Sequence, residues 1–211
     1  LGTVLANDEV KDGVSERALY VLLAPEALRL ASNLQVAQLN ATSWIISAPG
    51  FNNVFSNKLL VLIDGRTVYT PLFGGVIWEL QNVLLEDVDR IEVISGPGGL
   101  LWGANAVNGV INIITRETSE TQGLFATAAS GGVLKKSGAV RYGGLAGENL
   151  SWRLYGQHQQ RDETDLPDGN PNTDGWGISQ AGFRMDYSPG VSDHFTVQGD
   201  VYAGTRSTTP E

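Results

Sequence analysis

From Leu150 onward, apolar and polar residues alternate with a period of two, and a chain that sustains this must form a sheet with one greasy face and one wet face. Leu150, Trp152, Leu154 and Gly156 fall on one side, and Ser151, Arg153, Tyr155 and Gln157 on the other. The split recurs with Ala181, Phe183, Met185 and Tyr187 against Gly182, Arg184 and Asp186. It recurs again with Phe195, Val197, Gly199 and Val201 against Thr196, Gln198, Asp200 and Tyr202. A soluble sandwich alternates in the same way, so the connections have to discriminate. Ala146–Asn149 is tight, Asp162–Asp174 is long and acidic, and Ser188–Asp193 is short again. Short turns at one end and long loops at the other are the habit of a transmembrane barrel. Trp152, Tyr187 and Phe195 lie beside the short turns, where an interfacial aromatic girdle belongs.

Ahead of about Thr121 the pattern mixes helix and strand signals. Pro25 suits a first helical turn, PEALRLA continues it, and Asn33 is placed to close it in a left-handed conformation. Leu59–Asp64 reads as a buried strand. The Asp64-Gly65-Arg66 turn follows, with the Asp64 side chain set to bond the backbone two residues on. Ile91–Ile94 and Val110–Ile114 are β-branched runs, bounded by Gly96–Gly99 and by Asn108-Gly109. The expectation is an α+β domain over residues 1–116, then about five antiparallel transmembrane β-strands over residues 117–211. Barrels with a plugged lumen have about 22 strands, each of ~9–11 residues across the membrane. The strands here would thus belong to an incomplete barrel, in a fragment or a truncated product, because open edges in lipid leave backbone groups unpaired.

Composition removes several classes. A net charge of −9 with only Lys135 and Lys136 adjacent gives nucleic acid no surface. There is no cysteine, and the two histidines, His158 and His194, are too far apart for a short metal motif. No apolar run approaches the ~20 residues of a membrane helix, and the amino terminus shows no basic-then-apolar leader. The glycines from Gly96 to Gly109 match neither phosphate-loop spacing. Asp64, Asp87, Asp89 and Glu92 read as turn and element-boundary residues with local ion pairs, without a nucleophile and base pair, so no enzyme is expected. Asn170-x-Asn172-x-Asp174-Gly175 imitates half a calcium loop but begins with Asn and has Ala181 at the twelfth position. The sequence therefore calls for no cofactor and no resident metal.

The run from Asp87 to Arg116, with IEVI and VINII flanking a glycine-rich hinge, resembles the plug domain of TonB-dependent outer-membrane receptors. The stretch NKLLVLIDGRTVYTPLF from Asn57 to Phe73 strengthens the likeness. Such plugs carry a hinge of the general form IRGP, then a YG pair and GGVINI, and sit inside a β-barrel of the bacterial outer membrane. The resemblance implies uptake of a scarce nutrient, first an iron–siderophore complex and next cobalamin. It implies three partners: the TonB energy-transducing complex, a small-molecule metal chelate and outer-membrane lipid. In the family, plug loops form the floor of the ligand site, which makes Phe55, Asn57, Tyr69, Phe73, Gly74, Trp102 and Asn105 the candidates here. Each aromatic among them has packing as its alternative role.

Family plugs usually read SxRGF where this chain has Ser47-Ala48-Pro49-Gly50-Phe51, and IRGP where it has Ile94-Ser95-Gly96-Pro97. Pro49 and Ser95 thus stand where arginines make plug–barrel contacts, and with Arg66 and Arg90 they are the candidates for such contacts or for gating. Neither Pro nor Ser offers a guanidinium's planar fork of donors, so weakened seating is expected. Leu1-Gly2-Thr3-Val4 already reads as the first plug strand, leaving no room ahead of it for a TonB box. Coupling to TonB is therefore implied by kinship. A secreted β-rich domain binding carbohydrate through its aromatic turns is the alternative.

Overall fold

The computed structural model describes residues 2–6, 24–41, 43–47, 58–70, 72, 74–103, 105–131, 134–166, 168–190 and 192–206. The chain divides into two compact units, Leu1–Thr115 and Arg116–Glu211.

The first unit is α+β. Its strands are β1 (Gly2–Ala6), β2 (Gln35–Gln38), β3 (Trp44–Ser47), β4 (Leu59–Ile63), β5 (Arg66–Thr67), β6 (Val88–Ser95) and β7 (Gly109–Thr115), with α1 (Ala24–Leu28) and the one-turn α2 (Gly99–Trp102). The main sheet runs β1-β6-β7-β4-β5, and β2 and β3 form a separate antiparallel pair. β4 and β7 pair in parallel, all other neighbours antiparallel. Every residue of β4 is buried, as the unbroken LLVLI run requires of a strand covered on both faces. Register puts Val61, Val93 and Ile111 on one face with Ile63, Ile91 and Ile113. Leu60, Leu62, Val110 and Ala106 cluster on the other, with Tyr69 and Ile94 packed against them.

One local expectation changes. The helix ends at Leu28 and continues only as turns, and Asn33 is not left-handed: among the described non-glycine residues, only Asp64 and Thr173 have positive φ. Asn33 instead donates from Nδ2 to Ser95 Oγ at 2.7 Å and to the Val93 carbonyl at 3.4 Å, tying the end of the helical segment to β6. Asp64 has a tertiary role as well. With Asp64 at φ 48° and Gly65 at φ 76°, the turn is of the left-handed type that suits a tight hairpin. Its carboxylate reaches across the sheet, accepting from Thr115 N at 2.8 Å and Thr115 Oγ1 at 2.9 Å. This pin joins the β4–β5 turn to the end of β7. Asp64→Ala is expected to lose about 1.5–3 kcal/mol, as for hydrogen bonds to a charged group. An unchanged urea midpoint would show that the pin is idle.

The second unit is one antiparallel sheet in the order β12-β11-β10-β9-β8: β8 (Gly123–Ala129), β9 (Leu134–Ala146), β10 (Leu150–Arg161), β11 (Trp176–Tyr187) and β12 (Phe195–Arg206). Cross-strand register lines up like with like: Leu154 opposes Phe183, which opposes Gly199, and Arg153 opposes Arg184, which opposes Gln198. Burial is inverted relative to a soluble sheet. Arg153, Gln157, Gln180, Arg184 and Asp186 are buried, while Leu124, Leu154, Val197 and Val201 are more than half exposed. No described helix is long and apolar enough to cross a membrane.

A 3-10 turn at Thr118–Glu120, closed by a reciprocal capping box between Glu117 and Glu120, is clasped to this sheet. Asp186 Oδ2 accepts from Thr118 N at 2.8 Å and Thr118 Oγ1 at 2.9 Å, and its Oδ1 accepts from Arg184 Nε at 3.0 Å and Thr196 Oγ1 at 2.7 Å. Thr118 Oγ1 also meets Ser151 Oγ at 2.6 Å, and Arg153 Nη1 donates to the Arg116 carbonyl at 2.9 Å. The Asp162–Asp174 connection is turn-rich. Thr164 gives both its N–H and its hydroxyl to the Asp174 carboxylate at 2.7 Å, and Asp165 bridges Pro171. Within this loop the Asn170 N–H and side chain bond Asp168 and hold its carboxyl below the usual range.

Candidate ligand-binding site

The glycine-rich stretch between β6 and β7 is a closed excursion. Gly96 N donates to the Asn108 carbonyl at 3.0 Å and Gly98 N to the Ala106 carbonyl at 2.8 Å, so its two limbs stay laddered above the strands. Asn108 N bonds the Lys58 carbonyl at 2.8 Å, fixing the base to the start of β4. Above that ladder, Trp102 N and Gly103 N bond back to Gly98 and Gly99 and close the single turn of α2. Its apex presents Leu100 and Leu101, 104% and 89% exposed, while Trp102 is 37% exposed. The indole leans back over Gly98, where an added Cβ would meet Trp102 Cδ1 at 3.2 Å and Ala106 Cβ at 3.5 Å.

The candidates part company around this tip. Trp102 and Asn105 lie on it and are exposed. Gly74 lies on a second loop, where Thr70 N bonds the Gly75 carbonyl at 2.8 Å and Gly74 N the Thr70 carbonyl at 3.1 Å. Tyr69 is half-buried in the cluster beneath, and its hydroxyl donates to the Leu59 carbonyl at 2.6 Å. It supports the loop and does not present its ring. Burial pushes the Tyr69 phenol up to about 12. The unfolded phenol releases its proton near 10. Between those values the unfolded state binds fewer protons, so this contribution is intact below pH 10 and lost as pH rises through about 12. Absorbance titration at 295 nm should show one tyrosine ionising later than the rest, and Tyr69→Phe should remove it. Phe55, Asn57 and Phe73 lie outside the described residues, as does Pro49.

Of the other arginine-linked candidates, Arg66 is exposed in the hairpin turn. Arg90 is held by Asp89 at 2.6 Å and by Glu92 at 2.9 Å, and Asn112 Nδ2 donates to the far oxygen of Glu92 at 3.1 Å. The Glu92 and Asp89 hydrogen bonds raise the Arg90 pKa further. Ser95 is occupied as the acceptor for Asn33. Sequence reasoning missed Leu72, Leu100 and Leu101, apolar residues more than four-fifths exposed at loop tips. The signal was present in Gly98-Gly99-Leu100-Leu101, an apolar pair too short for any strand and bounded by glycines.

Residues 23–110 match the TonB-dependent Receptor Plug Domain. These residues are a plug domain of the TonB-dependent receptor type. Over 202 residues it is 26% identical to the vitamin B12 transporter BtuB of Vibrio vulnificus, covering 94% of this chain and 31% of that protein. It is 34% identical over 127 residues to the iron-regulated outer membrane virulence protein of Vibrio cholerae, covering 54% of this chain and 19% of that one. Among solved structures, the copper transporter OprC superposes with a TM-score of 0.72 at 16% identity, over 97% of this chain and 31% of that one. The ferric yersiniabactin uptake receptor FyuA from Yersinia pestis gives 0.69 at 18%, again over 97% and 31%. The chain thus spans about a third or less of these relatives. The fold is a plug followed by antiparallel barrel-type strands, and the family is one of receptors and transporters of the bacterial outer membrane. In TonB-dependent receptor terms, the closed excursion bearing Trp102 is a plug loop.

Proposed function

We propose that this chain contributes the plug, residues 1–116, and the first five barrel strands, residues 117–211, to a receptor that imports an iron–siderophore complex with energy from TonB. The observation that carries the reading is the sheet that follows the plug: its apolar face is exposed and its charged face buried, the arrangement of a wall with lipid outside. No chemistry is done on the cargo. Binding occurs at the laddered plug loop, where Leu100, Leu101 and Trp102 offer apolar area to a flat chelate and Asn105 offers an amide. Pro49 and Ser95 weaken plug seating, and Arg66 and the Arg90 ion-pair set supply the remaining gating contacts. Cobalamin is the second reading, supported by the vitamin B12 transporter whose likeness runs along 94% of the chain.

Quenching of tryptophan fluorescence in detergent tests the reading with three probes: a ferric catecholate, a ferric hydroxamate and cyanocobalamin. Saturable quenching by either ferric chelate supports it, quenching by cyanocobalamin alone supports the second, and none by any probe overturns both. Trp102→Ala should weaken the productive probe about tenfold with an unchanged melting temperature, the loss typical of an aromatic anchor.

A further inference from the structure

Outward residues of the β8–β12 sheet form rows that can be followed from strand to strand. The four rows nearest the short turns contain only glycine, aliphatic, aromatic or methionine side chains, ending at Val140, Gly156, Ala181 and Val201. Six residue steps separate the first of these rows from the fourth, about 20 Å along a strand and roughly 15 Å along the membrane normal at the usual strand tilt, so that the ~25 Å apolar band of a barrel reaches up to the rows that follow. The chemistry then changes within one row. Gly138, His158, Ser179 and Ala203 come next, followed by Lys136, Gln160, Gly177 and Thr205.

His158 and Lys136 are both exposed, and alternation along β9 and β10 keeps them on the face of Val140 and Leu154. His158 Nδ1 meets Ser179 Oγ at 2.9 Å, which leaves Nε2 as the outward ring nitrogen. Lys135, next door, is ion-paired with Asp162 at 3.4 Å. Lys136 has no such partner among the described residues, though the chain carries a net charge of −9. Lys136 lies diagonally from His158, about 7–8 Å away and within reach of a long side chain. There is room beside them: a Cβ at Gly156 would meet nothing within 4 Å, and one at Gly138 only the Thr127 carbonyl at 3.6 Å.

We infer that Lys136, with His158 and Gln160 beside it, holds the anionic phosphate of an outer-leaflet lipid against the outside of the sheet. The inference rests on the membrane-wall reading above. An unpaired ammonium just beyond an apolar band needs an anion joined to hydrocarbon: the phosphate meets Lys136 and the acyl chains cover the Val140, Gly156 and Ala181 row. A free anion would leave that row bare. The long-loop side is the extracellular side in barrels, which makes the leaflet the outer one.

A complete receptor barrel carrying this chain as its plug and first five strands, refolded into phosphatidylcholine vesicles with or without lipid A, tests this through the lipid that stays bound after mild detergent extraction, read by native mass spectrometry. Entry into pure phosphatidylcholine reads the membrane-wall premise by itself, and failure to enter either vesicle overturns premise and inference together. In mixed vesicles lipid A should be retained preferentially. Lys136→Gln should reduce that retention about fivefold, the loss for one basic residue at a membrane surface. His158→Ala should reduce it less, and Lys135→Gln should leave it unchanged. Entry with equal retention by wild type and Lys136→Gln, or an equal loss in Lys135→Gln, overturns the inference while sparing the premise.

Discussion

Gly109→Ala should strongly destabilise the plug unit. Gly109 opens β7 at φ +159°, paired with Leu59 on one side and Ser95 on the other. A Cβ there would be driven into the Ile94 carbonyl oxygen and would stand 3.2 Å from Leu59 Cδ1. Backbone carbonyls inside a sheet cannot step aside without breaking the ladder they belong to. Strain and overpacking together are expected to cost about 3–5 kcal/mol. A domain holds only about 5–15 kcal/mol in total, so the loss consumes a large share. Gly65→Ala is the control: Gly65 has φ +76° but nothing within 4 Å of the added carbon, so only strain of about 1–2 kcal/mol applies. Urea unfolding followed by far-ultraviolet dichroism separates the two. Equal midpoints for the two variants would mean that the close approach at Ile94 does not constrain the fold.

Asp186→Ala should release the segment that enters the second sheet. The carboxylate is 3% exposed and accepts from four donors, Thr118 N, Thr118 Oγ1, Thr196 Oγ1 and Arg184 Nε, the last shared by both of its oxygens. Removing it leaves those donors in place with their shared acceptor gone, beside a buried guanidinium. Breaking a buried charge pair from one side costs about 3–5 kcal/mol. Asp186→Asn keeps one acceptor oxygen and should cost less. The measurement is trypsin cleavage after Arg116, whose carbonyl is held by Arg153 in the intact protein. Cleavage should speed up strongly in the alanine variant and modestly in the asparagine variant. Unchanged cleavage in both would leave the clasp without a role in holding this segment.

The barrel-type strands were the most legible part. Alternation along β10, β11 and β12 is enforced residue by residue, because a one-residue slip would send every side chain to the wrong face. The inverted burial also followed from the loops, since the sheet's own sequence does not say which face meets water. The plug was legible as motifs and less so as geometry. Val110–Ile114 reads as a strand on its own, but its parallel pairing with Leu59–Ile63 joins segments some fifty residues apart and has no local signature. The same distance hid tertiary partners of Asp64 and Asn33. A left-handed cap is the local option for Asn33, and its tertiary bond to Ser95 displaced it, while the bonds of Asp64 to Thr115 have no local signature. At the candidate site, Trp102 was found for its size, whereas Leu100 and Leu101 were passed over because leucine normally signals a core. Tyr69 was the converse, a side chain with interface character that the fold uses as a prop.

The clasped turn at Thr118–Glu120 also decides where mechanical load goes. Covalently the next element is β8, an edge strand with a single neighbour. Spatially the turn touches β9, β10 and β11. A pull along the backbone from the amino-terminal side therefore reaches three interior strands through Thr118 and Asp186 before any tension falls on β8. Peeling a sheet from its edge breaks hydrogen bonds one at a time, whereas loading three strands together makes them resist in concert. Whatever tugs on the first unit, slack must be found ahead of Arg116, and the wall behind it is braced.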